Sequence, residues 1–321
     1  MPGPFLFDAV SPGYLARKPP KPARERAAGA AATVLGTPMQ QLPATIVVPT
    51  RDRAGYLDVA LTSFASQVAA AGAEVVVVVD GPDPATVAVA ERHGARVVGL
   101  DRPQGPNAAR NAGIAAAHGD LIVLVDDDVA APPGWLPALL AAAAATPERD
   151  VFGGPIRAKI ERDRVGLLGF CGREKPPLTT LDEGPADRDV EQVWGANLAI
   201  RRAALETVGG FDEQIPVGAG DEEEWQERYR STGGHVRYVA AAWLDHRRAR
   251  EDATLRAFAR AAYFRGRAGR RNDERKGRVR PLKAELRVLG GCVAHVARHR
   301  CANGVVMAAH TLGRIREGWG R

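Results

Sequence analysis

The segment LIVLVDDD, residues 121–128, places five apolar residues directly before three consecutive aspartates. A continuous apolar run of this length is typical of a strand that is covered on both faces of a parallel sheet. Three neighbouring carboxylates repel one another, and they remain ionised at low cost when a cation lies among them. In an open α/β sheet, ligands also bind beyond the carboxyl ends of the strands. The segment therefore predicts a divalent metal that holds a phosphorylated ligand; a simple acidic turn after the strand is the alternative.

Strand and helix patterns alternate on both sides of this segment. Short apolar, β-branched runs predict strands, and apolar residues at helical spacing predict helices. The predicted strands are residues 45–49, 74–79, 96–100 and 121–125, and the predicted helices are residues 54–71, 84–93, 107–118 and 132–145. Strands separated by helices of about ten to fifteen residues are typical of βαβ units. The expected fold is α/β, with a mostly parallel sheet flanked by helices and a helical carboxyl-terminal tail.

The chain is predicted to divide into three parts. Residues 1–43 are rich in Pro, Ala and Arg without a sustained apolar period, which is typical of a partly disordered arm. Residues 44–250 carry the alternating pattern. Residues 251–321 contain 17 Lys and Arg against 6 Asp and Glu, a net charge of +11, whereas the rest of the chain carries −5. We expect a basic helical tail, either solvated or in peripheral contact with an anionic membrane. No nucleic acid partner is expected, because the tail lacks the aromatics and motif spacing of such modules.

The three cysteines, Cys171, Cys292 and Cys301, are scattered and odd in number. This distribution indicates neither a disulfide framework nor a zinc site, and it fits a reducing compartment. No apolar run approaches the roughly 18 to 20 residues that a membrane-spanning helix needs. Pro, Asp and Gly interrupt every apolar run near the amino terminus, which argues against a secretory signal. The expected location is the cytoplasm, with contact at the inner membrane face left open.

Polar residues follow three of the predicted strands. Thr50 and Arg53 follow the first strand, Asp80 follows the second, and the aspartate triplet follows the fourth. The carboxyl ends of parallel strands share one edge of a sheet, so we expect these side chains to surround a ligand. Each has a plainer interpretation by itself, since Asp80 precedes a glycine as in many turns and Arg53 resembles a solvated charge.

Several segments together resemble the family 2 inverting glycosyltransferases, which use nucleotide sugars and have the GT-A fold, a Rossmann-like architecture. The resemblance extends over about residues 45–246 and follows the family's motif order. It rests on VVPTRDR (47–53), VVVVDGPDP (76–84), GPNAARNAGIAAAHGDLIVLVDDDV (105–129), WGANLAIRR (194–202), VGGFDE (208–213) and GDEEEW (220–225), with His246 downstream.

The resemblance implies a UDP, GDP or dTDP sugar as donor and Mn2+ or Mg2+ as cofactor. It implies that Asp128 binds the metal and that Asp126 faces the ribose or diphosphate and the metal, with Asp127 between them. His246 would complete the metal contacts, and a surface histidine is the alternative. The nucleotide-sugar contacts implied by the resemblance are Thr50, Arg53, Asp80, Asn107, Arg110, Asp126, Asp127, Trp194 and Asn197. For Trp194, a plain core tryptophan is the alternative.

An inverting transfer also needs a base that takes the proton of the acceptor hydroxyl. The family commonly shows Gly-Glu-Asp where this chain has Gly220, Asp221 and Glu222. The register places Glu222 at the family's catalytic aspartate, with the order of the acidic pair swapped. Glu222 is therefore the hypothetical base and Asp221 its rival. The acidic first turn of a helix, which the helix dipole favours, is the alternative.

The expected function is a metal-dependent, inverting transfer of a hexosyl group from a nucleotide sugar to a hydroxyl of an unidentified acceptor. A nucleotidyltransferase or a dinucleotide oxidoreductase would carry a glycine-rich loop after its first strand, and residues 49–53 contain no glycine. The remaining alternative is a catalytically weak GT-A domain that binds nucleotide sugars or serves as a scaffold. The sequence gives no indication of the oligomeric state.

Overall fold

The computed structural model describes residues 44–172, 177–215 and 220–319, so the predicted amino-terminal arm, residues 1–43, lies outside the described residues. The strands are β1 (Ala44–Thr50), β2 (Glu74–Val79), β3 (Arg96–Gly99), β4 (Leu121–Leu124), β5 (Val129–Ala130), β6 (Val151–Gly153), β7 (Ile156–Ile160), β8 (Arg164–Val165), β9 (Leu168–Gly169), β10 (Arg188–Val190), β11 (Leu198–Arg201), β12 (Val236–Tyr238) and β13 (Leu244–Arg248). The helices are α1 (Ala54–Ala71), α2 (Pro84–Arg92), α3 (Pro106–Ala116), α4 (Trp135–Ala145), α5 (Arg202–Val208), α6 (Asp221–Ser231), α7 (Leu255–Arg275), α8 (Leu282–His299) and α9 (Ala302–Trp319).

An eight-stranded sheet lies at the centre, in the order β10-β12-β6-β11-β4-β1-β2-β3. The four strands from β4 to β3 run parallel, whereas β11 runs antiparallel to both β4 and β6. Because β1 lies between β2 and β4, the carboxyl ends of these three strands are neighbours at one edge of the sheet. The predicted α/β fold with a mostly parallel sheet is confirmed.

The valine run of β2 shows why these strands read as continuous apolar segments. Val77 and Val79 pack on one face of the sheet, in a core that includes residues of α1 and α4. Val76 and Val78 pack on the other face, in a core that includes residues of α3, α5 and α6. Successive side chains of a strand point to opposite faces, so a sheet covered on both sides needs apolar residues at every position.

A second, three-stranded sheet has the order β5-β13-β7. Its first strand, β5, begins directly after the aspartate triplet. β13 pairs antiparallel with β5, with His246 opposite Val129, and parallel with β7. This small sheet therefore brings a histidine from far along the chain to the end of β4.

Of the three carboxyl-terminal helices, α9 packs against both α7 and α8, and ion pairs connect the end of α7 to α6. Arg314 of α9 is buried and donates hydrogen bonds of 2.7 Å to both Glu285 of α8 and Asp273 of α7. Lys276, just after α7, pairs with Glu223 and Glu227 of α6 at 3.2 and 3.0 Å. Within the described part of the chain, no helix is both long and apolar enough to cross a membrane.

The close packing of α3 on the sheet gives a first prediction. A Cβ added at Gly113 would lie 2.3 Å from Val47 Cγ1 and 2.9 Å from Val78 Cγ2. We expect Gly113→Ala to lower the free energy of unfolding by roughly 1–3 kcal/mol, because overpacking forces the neighbours to shift. The measurement is the thermal midpoint followed by circular dichroism.

Gly290→Ala in α8 is the matched control. Position 290 is exposed and helical, and an added Cβ there meets no atom within 4 Å. Alanine should be neutral or stabilising there by about 0.4–1 kcal/mol, because it restricts the unfolded chain. Equal stability of the Gly113→Ala protein and the wild type would contradict the packing of α3 described above.

Candidate active site

The side chains of the aspartate triplet diverge after β4. Asp127 accepts hydrogen bonds from Thr50 Oγ1 at 2.8 Å and from Arg53 Nη1 at 2.6 Å. Arg53 Nη2 donates to Asp128 at 2.8 Å, so one guanidinium bridges the second and third aspartates. The side chain of Asp126 is 36% exposed, in contrast to 5% for the other two. Thr50 and Arg53 thus fix the loop, and Asp126 faces its open side.

Asp126, Asp128 and His246 form a candidate metal-ligand group, since each offers a ligand atom within 4.8 Å of the others. His246 Nε2 lies 3.1 Å from Asp128 Oδ1, a contact that follows from the pairing of β13 with β5. Carboxylate oxygens suit Mn2+ and Mg2+, and imidazole is a common additional ligand of transition metals. The residues present therefore fit a divalent cation. His246 is only 8% exposed, so it is not the surface histidine considered as the alternative.

The charges around the triplet distinguish Asp128 from Asp127. Burial by itself would raise the pKa of Asp128, but the hydrogen bond and charge of His246, together with Arg53 and Arg248, hold that pKa well below its ordinary value. For Asp127, burial raises the pKa to about 7, although the charge of Arg53 opposes it. A group that is ionised at neutral pH is ready to bind a cation. Asp128 is therefore the better prepared ligand.

Asp80 lies at the end of β2, which is separated by β1 from β4, the strand that the aspartate triplet follows. Its two carboxylate oxygens accept hydrogen bonds from the backbone N–H groups of Gln104 at 2.6 Å and Gly105 at 3.0 Å. These residues directly precede α3, so Asp80 holds the loop from which that helix begins. Its contact with the base or ribose of a nucleotide stays a prediction.

Arg110 of α3 joins the end of β4 to the acidic start of α6. Its Nη1 donates to Asp221 Oδ2 at 2.6 Å, and its Nη2 donates to Glu222 Oε1 at 3.1 Å. The same Nη2 lies 3.9 Å from Asp126 Oδ1, and Asn107 Oδ1 accepts from Nη1 at 2.9 Å. Arg110 is only 5% exposed. The structure therefore places Arg110 against the acidic pair and Asn107 against Arg110, and their contact with a nucleotide stays a prediction.

The two members of the acidic pair differ in their surroundings. The Asp221 carboxylate is closed in by the short contact with Arg110 and is 4% exposed, whereas the Glu222 side chain is 17% exposed. Burial raises the pKa of Glu222 to about 8, with Asp221 adding to the effect and Arg110 opposing it. A carboxylate with a raised pKa is the stronger base. Its greater exposure and its raised pKa therefore make Glu222 the candidate base, and this role stays a prediction.

The turn before β11 carries two predicted ligand contacts, Trp194 and Asn197. Asn197 is fully buried; its Oδ1 accepts from Trp135 Nε1 at 2.9 Å and its Nδ2 donates to the Ala242 carbonyl at 2.7 Å. Its amide is thus occupied within the fold instead of facing a sugar hydroxyl. Trp194 is half-buried and packs against the apolar core, and its contact with a nucleotide sugar stays a prediction.

Two residues of this region were not singled out from the sequence. A Cβ added at Gly195 would lie 2.5 Å from Glu222 Oε1, so only glycine allows Glu222 to occupy its position. In the sequence, the glycine of the WGAN motif (194–197) was the feature that could have indicated a close approach of another side chain to the backbone. Arg248 Nη2 lies 3.7 Å from Asp128 Oδ2. Arg248 follows His246 by two residues on β13, and residues at this spacing in a strand share one face, which is the feature that could have indicated the contact.

Comparison with solved structures shows the same architecture in two glycosyltransferases. The mannosyltransferase PcManGT from Pyrobaculum calidifontis, solved with GDP-Man and Mn2+, has a TM-score of 0.59 at 14% identity, covering 87% of this chain and 88% of that one. GalNAc-T7, solved with UDP, GalNAc and Mn2+, has a TM-score of 0.53 at 15% identity, covering 71% of this chain and 51% of that one. At these identities the likeness concerns the fold, which is GT-A.

Comparison of sequences identifies the family. The chain is 30% identical over 238 residues to the pre-mycofactocin glycosyltransferase of Mycobacterium tuberculosis. The aligned region covers 70% of this chain and 46% of the relative. The chain thus spans less than half the length of that relative. The family model described as "Glycosyl transferase family 2" matches residues 45–209, about half of the chain. This match, over the segments that build the parallel half of the sheet and the aspartate loop, shows that the chain belongs to glycosyl transferase family 2.

Proposed function

We propose that this protein is a metal-dependent, inverting glycosyltransferase that moves a hexosyl group from a nucleotide sugar to an acceptor hydroxyl. The observation that carries the proposal is that one nitrogen of Arg110 contacts both halves of the site. Asp126 Oδ1 lies 3.9 Å from Nη2 and Glu222 Oε1 lies 3.1 Å from it, so these two oxygens are within 7.0 Å of each other. A cation ligand and a base thus share one small space, as a transfer between a diphosphate ester and a hydroxyl requires.

The metal end of the site is formed by Asp126, Asp128 and His246, which would hold Mn2+ or Mg2+. When bound, such an ion neutralises the charge that develops on the departing diphosphate. Arg53 keeps Asp127 and Asp128 in place through its two donated hydrogen bonds. The low pKa of Asp128, held down by His246 and nearby arginines against the effect of burial, keeps this carboxylate ionised at neutral pH.

The base end of the site is formed by Glu222, which would accept the proton as the acceptor oxygen attacks the anomeric carbon. Attack on the face opposite the leaving diphosphate inverts the configuration at that carbon. The raised pKa of Glu222, about 8, makes its ionised form a stronger base than an ordinary carboxylate. Asp221 acts as a positioning residue, because it holds Arg110 beside Glu222. The two similar structures, solved with UDP, GalNAc and Mn2+ and with GDP-Man and Mn2+, support a nucleotide-sugar donor, and we extend the candidates to UDP, GDP and dTDP sugars.

Nucleotide binding should depend on the metal ligands. In a thermal-shift assay with UDP, GDP, dTDP and CDP, we expect one nucleotide to raise the melting temperature with Mn2+ and to have no effect without it. A ligand at a hundredfold excess over its Kd stabilises the native state by about 2.7 kcal/mol. Asp128→Asn should remove the metal-dependent shift, and Asp163→Asn, at an exposed position, should retain it. Absence of a shift with all four nucleotides would contradict the donor site and favour a scaffold module.

Substitution of Glu222 should separate binding from chemistry. We expect Glu222→Gln to lower the turnover of the donor by about 10²–10⁴-fold, the usual contribution of a general base, while the nucleotide-induced thermal shift stays unchanged. Only the ionised carboxylate accepts a proton, so the wild-type rate should rise with pH through the Glu222 pKa of about 8, and the variant should lack this rise.

The turnover of Glu222→Gln and of Asp221→Asn is measured as the rate at which the nucleoside diphosphate is released, with water or a sugar as acceptor. Glu206→Gln, at an exposed position of α5, serves as the matched control and should behave as the wild type. If Asp221→Asn lost turnover while Glu222→Gln kept it, the two roles would have to be exchanged.

We also propose that α8 contacts an anionic membrane surface. Leu282, Leu286 and Val293 are exposed and occur at spacings of four and seven residues, which places them on one face of this helix. Lysine and arginine side chains of the same helix add attraction to anionic lipids.

Vesicle sedimentation tests this contact. We expect binding to vesicles that contain phosphatidylserine, weaker binding to purely zwitterionic vesicles, and a severalfold loss with the double variant Leu286→Asp, Val293→Asp. Val59→Asp, at an exposed position of α1, is the control and should bind as the wild type. Equal binding of the double variant and the wild type would rule out the α8 face.

A further inference from the structure

A second group of metal-ligating side chains lies away from the active site. Cys171 follows β9, His295 lies on α8, and Cys301 lies between α8 and α9. Their Sγ and imidazole nitrogen atoms all lie within 4.8 Å of one another. We propose that Cys171, His295 and Cys301 bind a Zn2+ ion. Their spacing in the sequence does not resemble a zinc motif, because the first cysteine is more than a hundred residues from the other two ligands.

The backbone brings the two cysteines together by a specific turn. Arg300 ends α8 with φ of 45°, in the left-handed region that non-glycine residues seldom adopt. Gly169 pairs with Cys301 in an isolated parallel bridge, and its N–H donates to the Arg300 carbonyl at 3.2 Å. Cys171 follows two residues later. The strained turn thus delivers Cys301 to the end of β9, and such strain is concentrated at functional sites.

The distance between a sulfur and the imidazole agrees with that between two ligands of a tetrahedral ion. Cys171 Sγ lies 3.4 Å from His295 Nε2. Bond lengths of about 2.3 Å for Zn–S and about 2.0–2.1 Å for Zn–N, at a tetrahedral angle, separate S and N by about 3.5 Å. Three protein ligands leave one position of the ion for a further ligand.

The surroundings of Cys301 suit a metal-bound thiolate better than a reactive thiol. Cys301 is fully buried, and its sulfur accepts a hydrogen bond from the backbone N–H of Cys171 at 3.3 Å. Hydrogen bonds of this kind support ligand sulfurs in metal sites. A buried thiol is poorly accessible to outside reagents, which argues against a reactive role for Cys301. Binding of Zn2+ would release the two thiol protons and form two Zn–S bonds.

The ligand types separate this site from the Asp126, Asp128 and His246 group. Two thiolates and an imidazole favour Zn2+, whereas carboxylates favour Mn2+ and Mg2+. Cys171 lies just after β9, and His295 and Cys301 lie on α8 and directly before α9. A Zn2+ ion at these three residues would therefore fasten the end of β9 onto the carboxyl-terminal helices.

Metal analysis of the full chain tests the proposal. Protein purified with a thiol-free reductant, stripped with EDTA and reloaded with Zn2+ should retain one equivalent by elemental mass spectrometry. With Co2+ in place of Zn2+, we expect thiolate-to-cobalt charge-transfer absorption and the visible bands of a tetrahedral site. Cys171→Ser and Cys301→Ser should each lose this spectrum. His295→Gln, which keeps both thiols, should alter it while circular dichroism and the thermal midpoint confirm that the protein is folded.

Two controls locate the ion. Cys292→Ser changes the third cysteine, which does not belong to the group, and should keep the zinc. Asp128→Asn removes a ligand of the active-site group and should also keep it. The proposal is overturned if the reduced wild type takes up no zinc, if Cys171→Ser retains it, or if peptide mapping finds a Cys171–Cys301 disulfide in metal-free protein.

Discussion

The buried guanidinium of Arg110 is the interaction on which the site depends. It contacts Asp221 at 2.6 Å, Glu222 at 3.1 Å and Asp126 at 3.9 Å, and it is itself almost inaccessible to water. Removing an unpaired ion from water costs several kcal/mol, so without Arg110 the acidic start of α6 would not be stable beside the end of β4. Because Arg110 lies on α3 and the acidic pair begins α6, the same ion pairs fix α6 relative to the parallel half of the sheet.

Arg110 contacts the two carboxylates of the acidic pair unequally, and this asymmetry distinguishes Glu222 from Asp221. The shorter side chain makes the shorter contact with Arg110, and the longer one reaches toward the more exposed space. Burial and the charge of Asp221 then raise the pKa of Glu222 to about 8 in spite of Arg110. The swapped order of the acidic pair is therefore compatible with a base at the second position. Gly195 is part of the same arrangement, because any side chain there would displace the Glu222 carboxylate.

The parts of the structure that depend on local patterns were predictable from the sequence. β2 and α1 have the predicted bounds, and the ends of β1, β2 and β4 are neighbours, because buried runs and βαβ order determine them. The parts that depend on distant partners were not. Nothing local to the two-residue strand β5 indicates its pairing with β13, which buries His246 beside Asp128. The internal hydrogen bonds of Asn197 likewise require Trp135 and Ala242 to be in place.

Contacts with distant partners also determine how much of the positive charge of the basic carboxyl-terminal region, residues 251–321, is paired within the fold. Its net charge of +11 suggests a free cationic surface, yet Arg314 is buried between Asp273 and Glu285. Lys276 is paired with Glu223 and Glu227 of α6, the helix that also carries Glu222. Ion pairs to α3 and to the carboxyl-terminal helices therefore hold α6 from two sides. Part of the positive charge thus supports the acidic helix of the site, and only the remainder is available to an outside partner.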